Sequence, residues 1–419
     1  ERTLRRNPTT LHLRLDLDAS AGTGARLPWE PGTDLELLFA APLEPGDHWR
    51  RSVRAVDHTG GDPREIDLDA IGLAAAPTHA STWFELRIDR AGLRTILPGF
   101  ASARNLEASV VTRNHDSGRQ RLLMRESISL PVLEAAPAEA VELPRKPESG
   151  IRVMALNTLW GSQLEDPAPF GRIMRALDTD LYLIQEWSRE RISEGEVTAW
   201  FREHVDPGVA WQTVVAGVAG SWSGTLIVSR WPVTAGSGRY TPVDAGGWDF
   251  PARFAAAVIE APAGRILAAS VHLKASGAID TPEDTRRLAE ADAVNRLLLG
   301  MKSVARPDLV VLGGDFNLLG STAVIERATR MLDLDGSALQ VVEAPVLGDP
   351  ELLYTHGTRG MRGRLDYLTY SESTATLRNA FVLDTAILDA GTLDVYGLEA
   401  ADSEATDHLP VVMDISLPD

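Results

Sequence analysis

The periodicity of the chain changes once, at Gly150, and no single layer architecture accommodates both sides of that change. Ahead of it, short runs such as Thr10–Leu17, Thr82–Ile88 and Asn105–Thr112 alternate apolar with polar residues, bounded by Gly, Pro, Asp and Asn clusters. Side chains on a strand alternate between faces, so this pattern predicts a half-buried antiparallel sheet, and an all-β sandwich is the natural reading of about 130 such residues. Between Leu133 and Glu148 the chain is rich in Ala, Pro and Glu and has no amphipathic period, the composition of an inter-domain linker. Beyond Gly150, apolar strands alternate with amphipathic helices, which predicts an α/β domain. The expected organisation is a β-sandwich accessory domain over 1–132, a linker over 133–150 and a larger catalytic domain over 151–419. A chain of 419 residues is comfortable for two domains at roughly 100–200 residues each.

Within the second region, Ile151–Asn157 reads as a strand, followed by Phe170, Ile173, Met174 and Leu177 at i, i+3, i+4, i+7, one face of a helix. Leu181–Gln185, Thr225–Ser229, Phe254–Glu260 and Arg265–His272 read as further strands, with Pro262 and Gly264 turning between the last two. A helix opens with Thr281 as cap, Pro282 at its first position and acids at 283 and 284. Strands return around 309–312, 364–370, 377–383 and 410–416, and they outnumber the helices. That balance suggests two packed sheets with helices outside.

Polar residues capable of catalysis recur where these strands end. Asn157 ends the first strand, and Glu186 follows the second. His272 ends a middle strand, and Asp315 and Asn317 sit in Gly313-Gly-Asp-Phe-Asn317, where the apolar run Asp308–Leu312 finishes. Asp366 lies inside Arg364-Leu-Asp-Tyr-Leu368, where a buried carboxylate is expensive without a partner, and Asp407-His408 opens the last strand. Strand ends on one edge of a sheet converge, so these residues can meet. A carboxylate beside a carboxamide suits a phosphate ester, since one can hold a divalent cation or polarise water and the other can donate to a phosphate oxygen. Trp160, Trp187, Trp222 and Trp248 fall near these motifs and are candidates for aromatic pocket walls. Arg253, Lys274, Arg359 and Arg362 are the basic candidates for contacting a phosphate or a neighbouring acid.

Composition narrows the partners. The net charge is −18, with 19 basic against 22 acidic residues in positions 1–150 and therefore 22 against 37 in the remainder. The second region carries about −15 of the total, the wrong sign for gripping a long polyanion through many phosphates. No strong nucleic-acid affinity is expected. With no cysteine, the chain has neither disulfides nor thiolate metal ligands nor a cysteine nucleophile. The sequence begins at Glu1 rather than Met, which suggests a removed leader and an extracytoplasmic, periplasmic or secreted, protein.

The polar motifs, read in order, resemble the endonuclease/exonuclease/phosphatase superfamily of DNase I-like hydrolases. The matching stretches are Ala155–Thr158, Ile184–Glu186, Ser223–Pro232, Val271–Lys274, Gly314–Asn317, Arg364–Tyr367 and Thr406–Pro410, which span nearly all of 151–418. Residues 1–150 lie outside the resemblance. It implies a four-layered α/β/β/α sandwich in which Asn157, Glu186 and Asp407 hold Mg²⁺, or alternatively Mn²⁺ or Ca²⁺. It further implies that Asp315 handles the attacking water and Asn317 donates to a phosphate oxygen. His408, oriented by Asp366, and His272 would then flank the phosphate. The division of general-base work between Asp315 and His408 stays open. Two departures point away from DNA repair: Leu159 stands where some repair enzymes carry a second acid, and His272 where they carry a tyrosine.

The expectation is therefore divalent-metal-dependent hydrolysis of a phosphodiester or phosphomonoester, on small organophosphates or phospholipid headgroups, by direct attack of water. Contact with a membrane or cell surface through the N-terminal domain is a further expectation, and no obligate protein partner is inferred. Two alternatives stand beside it: a secreted DNase I-like nuclease, and a non-catalytic surface-binding protein on a retired hydrolase scaffold.

Overall fold

In a computed structural model, the described residues are 9–40, 53–60, 62–68, 70–76, 85–96, 100, 105–114, 116–130, 141–216, 224–237, 240–241, 252–277, 281–318, 322–350, 352–357 and 363–418. Trp222, Trp248, Arg359 and Arg362 lie outside them. The chain divides into two compact units, Glu1–Pro137 with Ser276–Ile279 and Arg359–Arg362, and the remainder.

Among its described residues, the first unit is all-β apart from the short helix Arg90–Ile96 and a single 3₁₀ residue at Phe100. Its described strands form one six-stranded antiparallel sheet in the order Gln120–Ser129, Asn105–Asn114, Thr9–Asp16, Leu35–Phe39, Val53–Asp57 and Arg64–Ile66, together with two two-stranded ribbons. Leu15, Leu35, Leu37, Ala55, Ile71 and Ala108 are buried in its core. The polar face of Thr9–Asp16 is buried as well, against the half-exposed pattern read from the sequence. It tolerates burial because its charges are paired across strands: His12 Nδ1 and Arg14 Nε lie 2.9 and 2.8 Å from Glu36 Oε1, and His58 Nε2 lies 3.5 Å from Oε2.

The second unit contains two mixed sheets. One has the order Gln212–Ala216, Thr225–Ser229, Leu181–Gln185, Ile151–Asn157, Val411–Ser416, Thr376–Val382. The other runs Val233–Ser237, Ala252–Ala261, Gly264–His272, Leu309–Asp315, Asp366–Tyr370, Gln340–Val341, with Tyr240–Thr241 also paired to Ala252–Ala261. Each sheet has a parallel pair at its middle, Ile151–Asn157 with Leu181–Gln185 and Gly264–His272 with Leu309–Asp315. The strands of these pairs are buried nearly throughout and accordingly read as continuous apolar runs.

Helices cover the outside. Pro167–Leu177 starts on an Asp166 cap with Pro at its first position, and Glu194–His204 starts on a reciprocal Ser193/Glu196 capping box. Both pack on the first sheet around Tyr182, Trp187, Trp200, Phe201 and Trp211, whose rings meet at 5.0–5.9 Å. The 24-residue helix Pro282–Ala305, capped by Thr281, buries Ala291, Val294 and Leu298.

The sheets meet closely where Gln185 Nε2 donates to Ser270 Oγ at 2.8 Å and Ser270 Oγ donates to the Ile184 carbonyl at 3.1 Å. Gly314 makes this approach feasible. Its φ is +127°, and a Cβ there would lie 2.3 Å from the Val271 carbonyl oxygen and 2.8 Å from Gln185 Nε2.

Half of the stretch expected as linker is built into the second unit. Leu143 is buried in its core with Val141 against it, and Lys146 Nζ pairs with Asp180 at 2.9 Å. Arg152, itself buried, grips Asp414 through both carboxylate oxygens at 2.6 and 2.7 Å and donates to the Pro144 and Leu177 carbonyls.

Candidate active site

Strand register assembles the site. His272 is paired with Asp315 across the parallel ladder, and Asp315 with Asp366 across the antiparallel one, so three chemically capable side chains stand abreast on neighbouring strands. From the facing sheet, Asn157 ends its strand in register with Gln185, the residue before Glu186. The sequence-predicted residues Asn157, Glu186, His272, Asp315, Asn317, Asp366, Asp407 and His408 are thereby brought together.

The contacts tie them into one network. Asp315 is its hub: Oδ1 accepts from the Asn317 backbone N–H at 2.8 Å, and Oδ2 accepts from Asn317 Nδ2 at 3.0 Å and Asn157 Nδ2 at 3.2 Å. The Nε2 atoms of His272 and His408 lie 3.6 and 3.9 Å from the same Oδ2. Asp366 Oδ2 is 2.7 Å from His408 Nδ1 and accepts from the Thr355 hydroxyl at 2.8 Å. Glu186 Oε2 accepts from the Trp160 backbone N–H at 3.1 Å, while Oε1 faces His272 Nε2 at 3.5 Å.

Much of this geometry is held by backbone that most residues avoid. Leu159, Trp160 and Gly161 all have positive φ, at 46°, 58° and 91°, as do Glu186 at 55° and Asn317 at 47°. Left-handed conformation in bulky residues costs about 1–3 kcal/mol each and persists where surroundings impose it. Here it turns the Trp160 N–H onto Glu186.

Burial and charge set the protonation of the site. Burial pushes Asp315 up to about 7, against the opposing pull of His408. Burial also raises Glu186 and drives His272 well below the usual histidine range. For His408, burial would lower the value, but the adjacent Asp366 carboxylate, with Asp315 and Asp407, outweighs it and raises His408 to about 10. Asp407 is held at about 2, the burial that would raise it being outweighed by His356 and His408.

Asn157, Glu186 and Asp407 offer oxygen donors that fit a hard divalent cation. Asp407 Oδ1 is buried without a hydrogen-bond partner among the described residues, and burial disfavours the charge on Glu186. A cation held there would relieve both.

Two of the four basic candidates are described, and each donates to a nearby backbone carbonyl. Arg253 Nη2 donates to the Leu273 carbonyl at 3.0 Å, and Lys274 Nζ to the Ala275 carbonyl at 2.8 Å. Trp187 lies in the aromatic core, whereas Trp160 is half-buried with Arg189 over its ring at 5.8 Å. Two residues escaped the sequence reading. Thr355 anchors Asp366, and His356 faces Asp407 Oδ2 at 3.6 Å, with its ring edge-on to that of His408. Their one signal was a Thr-His pair a few residues ahead of the Arg364-Leu-Asp366 motif.

The layers, the mixed sheets and the cluster at their strand ends define a DNase I-like α/β hydrolase fold. The chain belongs to the endonuclease/exonuclease/phosphatase family, whose model matches residues 154–408, more than half of its length. Among solved structures, the catalytic domain of human nocturnin with bound sulfate is similar at 18% identity, covering 65% of this chain and 97% of that one, with a TM-score of 0.42. A 3'-5' exonuclease from Neisseria meningitidis is similar at 17% identity, covering 64% and 100%, with a TM-score of 0.41. A family protein from Bacteroides thetaiotaomicron is similar at 15% identity, covering 64% and 98%, with a TM-score of 0.44. No curated protein sequence matches the chain.

Proposed function

We propose that the second unit hydrolyses phosphate esters of small organophosphates or phospholipid headgroups, using Mg²⁺ or Mn²⁺ held by Asn157, Glu186 and Asp407. The observation that carries this reading is the hub at Asp315, where a buried carboxylate raised to about 7 is flanked by two imidazoles and two carboxamides. When bound, the cation supplies charge neutralisation for the phosphoryl oxygens.

This chain's own residues do the remaining work. Asp315 takes a proton from the attacking water as the new O–P bond forms. His408, kept protonated by Asp366, gives a proton to the leaving ester oxygen as that O–P bond breaks. His272 donates to a non-bridging oxygen of the crowded transition state, and Asn317 does so by exchanging one of its two Nδ2 contacts, to Asp315 Oδ2 or to the Leu273 carbonyl, for the phosphate. The product phosphate leaves without a covalent enzyme intermediate. A net acidic catalytic region and a β appendage accord with an extracytoplasmic enzyme, and recovery of the native protein only from cytosol would count against that placement.

A screen of bis-p-nitrophenyl phosphate, p-nitrophenyl phosphate, sphingomyelin, inositol phosphates and DNA, with Mg²⁺ or Mn²⁺, tests the reading. Asp315→Asn and His408→Gln should each lower turnover of the accepted ester by roughly 10²–10⁴-fold. Unchanged turnover in both variants would reject it.

A further inference from the structure

His356 is a histidine at this site for which the proposed reaction has no task. It sits in a segment stitched into the catalytic strand ends: the His356 and Gly363 backbones exchange hydrogen bonds at 2.8 and 2.9 Å, the Gly357 N–H donates to the Asp407 carbonyl at 2.8 Å, and the Leu409 N–H to the Thr355 carbonyl at 2.7 Å. The backbone is therefore fixed on both sides of His408, directly after Asp407. From it, the imidazole presents Nε2 to Asp407 Oδ2 at 3.6 Å and packs 4.7 Å, centroid to centroid, from the His408 ring. Nδ1 is buried and has no hydrogen-bond partner among the described residues. With a carboxylate facing Nε2 and no polar group engaging Nδ1 among the described residues, Nε2 is the ring nitrogen placed to donate toward Asp407.

The three oxygen donors differ in how they are anchored. Asn157 is fixed by its amide on Asp315 and by the Leu159 N–H on its Oδ1 at 3.0 Å. Glu186 is fixed by the Trp160 N–H. The Asp407 side chain is 46% exposed, and the described side chains that offer it a hydrogen-bond donor at 3.6–3.9 Å are His356 and His408, while Glu186 acts on it only as a neighbouring like charge. His408 is already committed to Asp366 through Nδ1, with Nε2 turned to Asp315 as well as to Asp407. That leaves His356 as the group free to orient Asp407.

We propose that His356 is a positioning residue that presents the Asp407 carboxylate to the metal, rather than a packing residue or a direct ligand. The proposal rests on the reading of Asn157, Glu186 and Asp407 as the metal-binding set. Partners of this kind typically change metal affinity by about 10–100-fold.

The test is calorimetric titration of Mn²⁺ into the metal-free full chain, comparing wild type with Glu186→Gln, His356→Ala, His356→Gln, Asp407→Ala and the Asp407→Ala/His356→Ala pair. His356→Ala should weaken Mn²⁺ binding by about 10-fold or more, with the metal-free melting temperature close to wild type. His356→Gln, which retains a donor, should recover most of that loss. In the Asp407→Ala background, His356→Ala should cost nothing further, because its effect passes through the missing carboxylate. Wild-type affinity in His356→Ala, equal loss in the Gln and Ala variants, or full additivity with Asp407→Ala would each overturn the proposal. If Glu186→Gln binds Mn²⁺ as tightly as wild type, the metal assignment itself falls and takes this inference with it. Should the Ala variant fold poorly, His356→Leu, which fills the space without a donor, replaces it.

Discussion

At the scale of single residues, two buried carboxylates of the first unit titrate in opposite senses. Glu36 is held well below the glutamate range: burial alone would raise it, but His12, His58 and Arg14 outweigh that. Its contribution to stability is present above the unfolded value of about 4.3 and is lost as pH falls below that. Asp34 behaves the other way. Burial raises it to about 6, helped by Asp18 and Asp16 and opposed by the Leu17 N–H, which donates to its Oδ2 at 2.9 Å. A folded value above the unfolded one of about 3.9 means that ionising Asp34 costs stability, progressively as pH rises from about 4 through 6. The full cost is on the order of 3 kcal/mol, two pH units at 1.36 kcal/mol each. Asp34→Asn keeps an acceptor for the Leu17 amide and has no charge to develop. Its unfolding free energy relative to wild type, measured with a chelator present, should therefore rise between pH 4 and pH 7.5. A difference that stays flat over that range would rule out the burial argument.

At the scale of elements, the site depends on how closely the two sheets approach, and Gly314 controls that approach. An alanine there would be held at a φ of +127° with its Cβ 2.3 Å from a backbone oxygen of the adjacent strand, which cannot give way without breaking the ladder that aligns His272 with Asp315. Gly314→Ala should destabilise the second unit by about 3 kcal/mol or more and abolish turnover, as read by denaturant unfolding and by ester hydrolysis. A variant with wild-type midpoint and rate would show that the sheets are less tightly coupled than their contacts imply. The same elements explain what the sequence could reveal. Central strands are apolar runs whose ends are marked by polar residues, so Asn157, Glu186, His272 and Asp315 announce themselves. Register then converts strand ends into neighbours, which is why Asp366 inside an apolar alternation was also legible. Thr355 and His356 lie in an irregular segment with no period, and their roles come from tertiary pairing with 363 and 407–409. The successive left-handed residues Leu159, Trp160 and Gly161 were equally hidden, since only the glycine has a residue type that suggests positive φ. The Pro-rich stretch before Gly150 misled for a related reason. Val141 and Leu143 are two isolated apolar anchors, too few to form a period yet sufficient to dock the segment on the core.

At the scale of the whole molecule, the net charge of −18 bears on the choice between a nuclease and a small-ester hydrolase. A nuclease that grips a duplex through six to ten phosphates releases that many counterions, and its affinity falls by about 10³–10⁵ between 50 and 200 mM salt. Here the first 150 residues contribute about −3 and the rest about −15, a balance from which weak attraction for a polyanion is expected. Arg253 and Lys274, which donate to backbone carbonyls of the segment that follows His272, keep their charges and are already counted in that total. A small ester presents one phosphate, for which the proposed donors His272, Asn317 and His408 would be enough. The expectation is that a labelled 20-base-pair duplex binds more weakly than about 10⁻⁴ M at 150 mM salt, the weak end of ordinary non-specific binding. Turnover of bis-p-nitrophenyl phosphate by the same preparation should change less than about two-fold between 50 and 200 mM salt, since few counterions are displaced. Micromolar duplex binding with a steep salt dependence would instead require a basic surface among the residues beyond those described, and would move the assignment from a small-ester hydrolase to a nuclease.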